Sequence, residues 1–255
     1  MPNLPMHIYL AQQAAEELDW GFVQDHLGSC YLGSTAPDIR AMTRWDRERT
    51  HFAPLSVKEV GSGARRMFEL YPELAGQRQS PASRSFILGY VSHLVADEVW
   101  ITTMFRPNFS ADSCIAETEV EGHIWDRALQ LDMDRKVLQE KDGLTDAVKV
   151  IPDSDEGVAV AFLEQAVLQE WRDWVARFLG WDFTWERLKR VLNRMYRDDD
   201  EVQQVVDQFL RGLPNSLERV YQEVPRESIE AYQQRVLYET LAQVQEYLGA
   251  SRGSK

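Results

Sequence analysis

A histidine and an aspartate lie four residues apart in an apolar segment, and this pair carries the strongest chemical signal in the chain. On a helix, His93 and Asp97 would project from the same face, about one turn apart. Phe86 to Ala96 contains no other Asp, Glu, Lys, Arg or His. A buried carboxylate is costly unless it is paired or coordinated. The pair therefore predicts either a metal site, since imidazole and carboxylate are zinc ligands, or a buried His–Asp hydrogen bond between two helices.

Three further histidines lie where they can join this pair. His7 falls on the apolar stripe of the first predicted helix, and His51 follows an irregular, charged segment. His123 lies in a helical pattern, three residues before Asp126. Each histidine alone is more simply explained as a buried side chain bonded to a backbone carbonyl. Together with Asp38, they form the dispersed set of ligand types from which helix bundles assemble metal centres.

The segments that must position these residues are predicted to be helical. Pro5 suits the first turn of a helix, residues 33–38 are loop-like, and residues 43–54 are irregular. Further helices are predicted near residues 57–70, 82–103, 115–131, 157–179, 184–196, 200–211 and 226–248, with a long connection over 143–157. No strand-like alternation stands out. The sequence predicts an all-α multi-helix bundle with the metal centre between helices.

Length and charge limit the possible classes of protein. The 255 residues are predicted to form one domain over 1–255, with a metal-binding half at about 1–135 and a helical half at about 157–250. A formal net charge of −13 argues against stable nucleic-acid binding. Two cysteines form no disulfide framework, and neither a signal peptide nor a transmembrane run is evident. These features favour a cytoplasmic protein of undetermined oligomeric state.

An aromatic-rich stretch runs from Trp171 to Trp185. Trp171, Trp174 and Phe178 recur at helical spacing. This spacing is typical of a core-facing helix. An exposed patch that contacts lipid is the alternative interpretation.

The first half of the chain resembles the zinc-dependent phospholipase C group, which also includes the fungal single-strand nucleases. The resemblance runs from residue 1 to about 131, with the family's ligand types in the same order and at similar spacing. It rests on His7, the segment Ala36–Asp38, His51 with Phe52, and the helix that carries His93 and Asp97. The family fold is all-α, in agreement with the periodicity.

The resemblance implies a role for each of these positions. One zinc ion would be bound by Asp38, His51, His93 and Asp97. Asp97 would bridge to a second zinc ion, which also takes His7. The ions would activate a water for attack on a phosphodiester and stabilise the developing charge. Asp38 would also serve as general base. The same ligands suit manganese or iron.

The sequence departs from the family pattern at several positions. The well-known members begin with a tryptophan whose amino group and carbonyl complete one zinc site, whereas this sequence begins with Met1. Thr103 stands where they carry a histidine, and Arg127 where an acid would follow His123. Asp126 is the nearest substitute for that acid. We therefore expect one or two ions, the second held more weakly, with His123 as a metal ligand or a substrate contact.

The predicted function is metal-dependent hydrolysis of a phosphoric ester, of the phospholipase C type and with zinc as the expected metal. The substrate would be a small phosphodiester or a phospholipid headgroup. The alternative is a non-catalytic scaffold or sensor protein that retains the fold and its metal. A phosphohydrolase built on an adjacent His-Asp dipeptide is disfavoured, since the chain contains no such dipeptide.

Overall fold

The computed structural model describes residues 3–139, 144–196 and 199–249, and it confirms the all-α class: no strand occurs in these ranges. The first helices are α1 (Leu4–Leu18), α2 (Gly21–Gln24), α3 (Leu27–Thr35), α4 (Arg40–Thr43), α5 (Arg47–His51), α6 (Ser62–Leu70), α7 (Pro81–Val99) and α8 (Arg106–Phe109). They are followed by α9 (Glu119–Gln139), α10 (Thr145–Val150), α11 (Gln165–Leu179), α12 (Glu186–Tyr196), α13 (Asp200–Arg211), α14 (Asn215–Glu223) and α15 (Arg226–Leu248).

Helix α7, which carries His93 and Asp97, is the central helix, and almost all of its residues are buried. Ser80 precedes it, and the Ser80 hydroxyl accepts a hydrogen bond from the Ser83 N–H at 3.1 Å. Pro81 occupies the first helical position, where a missing N–H is tolerated. The local sequence therefore specifies where this buried helix begins.

Two glycines allow α3 and α7 to cross with their backbones in contact. A Cβ atom at Gly89 would overlap the Cys30 carbonyl oxygen, and one at Gly33 would overlap the Phe86 carbonyl oxygen. Only glycine fits at such an approach, because any larger side chain must push the two helices apart. This crossing places the end of α3 beside His93.

Several predicted boundaries were wrong because local breakers were absorbed into helices. Residues 33–38 are not a loop: α3 continues to Thr35, and a 3-10 turn spans Ala36–Ile39. The segment 43–54 contains α5, and the connection predicted over 143–157, of which residue 143 lies outside the described residues, contains α10 and a 3-10 turn at Ile151–Asp153.

The helix that was predicted to stop before Pro107 continues past it. A π-helical turn at Trp100–Phe105 joins α7 directly to α8, and Pro107 lies immediately after this turn. The hydrogen-bond register changes at this point, so the missing proline N–H does not end the helical path. Helix α14 was not predicted, whereas the bounds predicted for α13 and α15 are those observed.

Both halves of the chain contribute to one continuous cluster of buried apolar residues. Tyr232 of α15 packs edge-on against Trp100 with ring centroids 5.1 Å apart, and its hydroxyl donates to the Ala96 carbonyl at 3.3 Å. This packing fits the single-domain prediction, which stays a prediction. Within the described ranges, no helix combines the length and apolar character needed to cross a membrane.

Candidate metal centre

Four buried side chains from three helices converge at one point. Helix α1 contributes His7, the end of α5 contributes His51, and α7 contributes His93 and Asp97; each is at most 1% exposed. The Asp97 Oδ2 atom lies 3.2 Å from His51 Nε2 and 3.8 Å from His93 Nε2. The other oxygen, Oδ1, lies 3.6 Å from His7 Nε2. The two carboxylate oxygens of Asp97 thus face different histidines.

Asp38 reaches the same cluster from the 3-10 turn that follows α3. Its Oδ1 atom lies 3.9 Å from His51 Nε2, and its side chain is 33% exposed. Two overlapping groups of ligand atoms result, each with all atoms within 4.8 Å of one another. One consists of His7, Asp38 and His93, and the other of His51, His93 and Asp97. His93 belongs to both groups, so the arrangement can hold one ion or two neighbouring ions.

The close helix crossing fixes the orientation of the His93 ring. Because Ser34 offers a carbonyl oxygen 2.7 Å from His93 Nδ1, this nitrogen must carry the proton and donate. In the neutral ring, Nε2 then presents a lone pair toward the cluster. The His7 ring stacks on His93 with centroids 3.7 Å apart and an interplanar angle of 13°. A backbone carbonyl on a histidine that ligates metal is the usual device for setting its tautomer.

His51 is positioned by a sharp end to α5. Phe52 ends this helix in the left-handed region, at φ 56°, a strained conformation for a bulky residue. Its ring packs edge-on against Phe162, with centroids 5.4 Å apart. Behind the helix, the Tyr90 hydroxyl donates to the Thr50 carbonyl at 2.5 Å. Aromatic packing therefore holds the backbone on both sides of His51.

The neighbours of His51 suit a ring that can change tautomer. Thr50 Oγ1 lies 3.0 Å from His51 Nδ1, and His93 Nε2 lies 3.3 Å from His51 Nε2. Since Asp97 and the His93 lone pair are both acceptors, a proton on His51 Nε2 satisfies them without a cation. With a cation in the cluster, that proton can move to Nδ1 and be donated to the Thr50 hydroxyl.

The protonation states favour cation binding. Burial tends to raise the pKa of Asp97, but His93, the hydrogen bond from His51 and the charge of Arg47 hold that pKa well below its usual range. Burial lowers the pKa of His7 well below its ordinary value, and it also lowers the pKa of His51. An ionised carboxylate therefore faces the neutral imidazoles of His7 and His51, which is the state that metal ligands must have.

Unsatisfied buried atoms give an independent indication that the residues fit a metal ion. Among the described residues, neither ring nitrogen of His7 has a hydrogen-bond partner, and neither does Asp97 Oδ1. Buried polar groups without partners are rare in folded proteins, because each loses its interaction with water. His7 Nε2 and Asp97 Oδ1 face each other at 3.6 Å without a hydrogen bond, and a nitrogen and a carboxylate oxygen so placed suit zinc or a similar cation.

Sequence analysis missed Arg47, which contacts the cluster directly. Its Nη2 atom donates to Asp97 Oδ2 at 2.9 Å, and its side chain is 11% exposed. The only signal available was its position four residues before His51, on the same face of a short helix. Because Arg47 lies in the segment that was predicted to be irregular, the spacing did not indicate a shared helix face.

Glu98, next to Asp97, was also missed, and its role is structural. Its carboxylate accepts hydrogen bonds from the backbone N–H groups of Gly61, Ser62 and Gly63 at 2.6, 3.1 and 2.7 Å. Burial raises the pKa of Glu98 to about 7, although these three donors favour its ionised form. Glu98 therefore fastens the start of α6 to the central helix.

His123, the sixth expected ligand, is not brought into the cluster. Its Nδ1 lies 2.6 Å from the Tyr196 hydroxyl, and its ring stacks with Phe105. Asp126 is also engaged elsewhere, since its Oδ1 accepts a hydrogen bond from Trp100 Nε1 at 2.9 Å. The packing of α9 against α12 and the end of α7 directs both side chains away, so neither belongs to the two ligand groups.

A cleft of about 470 Å³ opens beside the cluster, and Asp38 forms part of its wall. Trp171, Trp174 and Phe178 line it from α11, and arginines line it from α12. Trp171 is buried, as the core interpretation requires, but Trp174 and Phe178 are only half-buried. Trp181, which extends this aromatic row, is 52% exposed. The row thus leads from the core to the surface along one wall of the cleft.

Fold and cluster together define an all-α protein with a candidate metal centre between its helices. Residues 6–100 match the family model of zinc dependent phospholipase C. This range contains every candidate ligand except His123, and it confirms the family resemblance over that part of the chain. Comparisons with curated proteins and with solved structures found no match. The family match and the ligand groups support a metal-dependent, phospholipase C-like function, with zinc as the metal that the family's name indicates.

Proposed function

We propose that this protein is a zinc-dependent phosphodiesterase of the phospholipase C type. The proposal rests above all on the buried convergence of His7, His51, His93 and Asp97, several of whose ligand atoms have no other partner. Zinc in such a site supplies Lewis acidity, which polarises the phosphoryl group and lowers the pKa of water. The cytoplasmic location inferred from the sequence stays a prediction.

In this proposal, different residues hold the metal ion, orient its ligands and balance their charge. His93 is oriented by the Ser34 carbonyl and His51 by Thr50, so their Nε2 atoms remain directed at the cluster. Asp97 belongs to one ligand group, and its Oδ1 approaches His7 of the other group at 3.6 Å. Arg47 balances the charge of Asp97 and keeps it ionised.

Asp38 is the residue we propose for proton transfer. Its carboxylate is within 3.9 Å of His51 and is also exposed to the cleft, so it can contact the cluster and a bound substrate together. A ligand that faces solvent can accept a proton from an attacking water, whereas fully buried ligands cannot exchange it. Asp38 therefore acts as ligand and general base in this scheme.

The open side of the cluster favours catalysis over the scaffold alternative. A structural zinc site is closed by its protein ligands, whereas a catalytic site keeps a position for water or substrate. Here the side formed by Asp38 adjoins a cleft large enough for a small phosphodiester or a phospholipid headgroup. A scaffold would have no need of this opening.

Elemental analysis combined with a diesterase assay tests the proposal. Protein purified without chelators should contain zinc and hydrolyse bis(p-nitrophenyl) phosphate, and added zinc or manganese should raise the rate if the second group is partly empty. His93→Ala should lose both the metal and the activity. One tightly held metal ion without turnover of lipid, nucleotide or aryl diesters would instead establish the scaffold alternative.

A further inference from the structure

The cleft beside the cluster has a basic wall, although the chain as a whole has a net charge of −13. Arg187, Arg190 and Arg194 line it from α12. Their spacing of three and four residues places them on one face of the helix. All three lie outside residues 6–100, so the family match does not account for them.

One of these arginines is already engaged by the protein. Arg187 donates to the carbonyl of Asp182 at 3.1 Å, and its guanidinium lies 4.8 Å from the centroid of the Phe178 ring. Burial lowers the pKa of Arg187, and the charge of Asp134 opposes this shift only in part. Asp134 itself accepts a hydrogen bond from Asn3 Nδ2 at 2.7 Å. Arg187 is therefore occupied by contacts within the protein, as Asp134 is by Asn3.

Arg190 and Arg194 remain uncompensated. Both are exposed at the cleft, and within the described part of the chain neither forms a hydrogen bond or an ion pair. The remaining cleft carboxylate, Asp38, is directed at the histidines and would be used by the metal. Two guanidinium groups are thus available to an incoming anion, and guanidinium pairs with phosphate through two parallel hydrogen bonds.

Another part of the cleft wall is aromatic. Trp174 stacks between Trp171 and Phe178, with ring centroids 4.9 and 5.3 Å away. Half-buried stacked rings offer van der Waals contact to a nucleobase, an aryl group or an acyl chain. The cleft therefore combines an apolar wall on α11 with two free cations on α12, next to the candidate reaction centre.

We propose that this cleft selects phosphodiesters that carry a second anionic group. Arg190 and Arg194 bind that second phosphate, and Trp174 and Phe178 contact the apolar part of the substrate, while the scissile phosphate lies at the cluster. This inference rests on the proposed diesterase function. The expected ligand is a molecule with two phosphate groups and an apolar portion. Either a nucleotide or a phospholipid with a phosphorylated headgroup has this chemistry.

A pair of matched substrates tests this selectivity. Thymidine 5′-(p-nitrophenyl phosphate) with and without a 3′-phosphate differ only in the second anion. The lipid arm uses short-chain phosphatidylinositol with and without a 4-phosphate. The protein should prefer the doubly phosphorylated member in at least one arm, and the arm that responds identifies the source of the ligand. Equal kcat/KM within both pairs would overturn the proposal.

Charge-matched double variants connect the preference to the two arginines. Arg190→Gln with Arg194→Gln should reduce kcat/KM for the doubly phosphorylated substrate by about tenfold or more, since each lost charged hydrogen bond is worth at least that factor. The substrate without the second phosphate should change little. Arg177→Gln with Arg211→Gln removes the same charge outside the cleft and should leave the preference intact. An equal loss in both double variants would show a general charge effect and overturn the proposal.

A binding measurement separates this inference from the diesterase function. Calorimetric titration with thymidine 3′,5′-bisphosphate should detect binding that is lost in the Arg190/Arg194 double variant and kept in the control. Arginine-dependent binding without any turnover would support the cleft and refute the diesterase. Turnover without arginine-dependent binding or preference would support the diesterase and refute the cleft.

Discussion

The buried cluster and the cleft beside it share Asp38 but are stabilised by opposite means. In the cluster, the three histidines and Asp97 are each at most 1% exposed, and the orientations of these side chains are fixed by backbone carbonyls, ring stacking and a close helix crossing. In the cleft, Arg190 and Arg194 project from α12 and form no hydrogen bond or ion pair among the described residues. Side chains in fixed orientations can hold a cation at the cluster, whereas unpaired arginines are available to bind an anion in the cleft. A substitution that disturbs the fold should therefore abolish metal binding at the cluster but only weaken anion binding in the cleft.

Gly89→Ala should have the largest effect, because it forces a methyl group into the Cys30 carbonyl and separates α3 from α7. Overpacking at a backbone contact costs about 1–3 kcal/mol or more. We expect a large fall in the melting temperature together with loss of metal. Gly21→Ala is the control, since nothing lies within 4 Å of the added atom. Equal melting curves for the two variants would contradict the crossing.

His93→Ala and Asp97→Ala should each remove bound metal and lower thermal stability together. Metal that binds the native state stabilises it, so loss of a ligand removes that contribution as well as a buried interaction. Elemental analysis and thermal unfolding with and without chelator measure the two effects. Asp126→Asn, a change at a buried carboxylate outside the cluster, should keep the metal. Full metal content in the His93 and Asp97 variants would refute their assignment as ligands.

The wall of the cleft should contribute a pH dependence of stability through Asp134. Burial raises the pKa of Asp134 to about 7, above its unfolded value of 3.8, although Asn3 and the Met6 N–H favour the ionised form. The folded protein thus binds the proton more tightly. This stability is fully present below pH 3.8 and is lost as the pH rises to about 7.

Denaturant unfolding at a series of pH values tests this prediction. Asp134→Asn cannot ionise, so its free energy of unfolding should vary less between pH 4 and 7, by up to about 3 kcal/mol. Asp146→Asn, at an exposed carboxylate on α10, should retain the dependence of the original protein. A pH profile that is the same in both variants would contradict the shifted pKa.

Arg47→Gln should have the smallest effect on the metal-loaded protein, because its effect should depend on metal. Without metal, Asp97 loses a charged hydrogen bond that is worth about 1.5–3 kcal/mol. With zinc present, the cation takes over the compensation of Asp97, and the loss should shrink. Arg49→Gln, on the same helix but over the Trp45 ring, should cost the same with and without zinc. A metal-independent loss for Arg47→Gln would show that the arginine acts only in packing.

Much of the helical scaffold could be predicted from periodicity. Helices α13 and α15 have amphipathic patterns with clear ends, and their observed bounds are the predicted ones. The wrongly predicted helix boundaries lie where tertiary packing overrides a local sequence signal. Gly33 was interpreted as a breaker, but it lies inside α3 because the Phe86 backbone needs the space of a missing side chain. Likewise, Pro107 does not end its helix, because a π-helical turn precedes it.

By itself, the sequence determined which residue types are available and which of them share a helix face. The spacing of His93 and Asp97 left a metal site and a buried hydrogen bond as alternatives, and the order of His7, Asp38 and His51 before them, together with the family resemblance, predicted a metal centre in an all-α fold. Only the tertiary structure decided which distant side chains meet. It joins Arg47 to Asp97, engages His123 with Tyr196, and lines one cleft with helices α11 and α12. The physical reason is that periodicity fixes directions within one helix, whereas contacts between helices depend on how their surfaces pack.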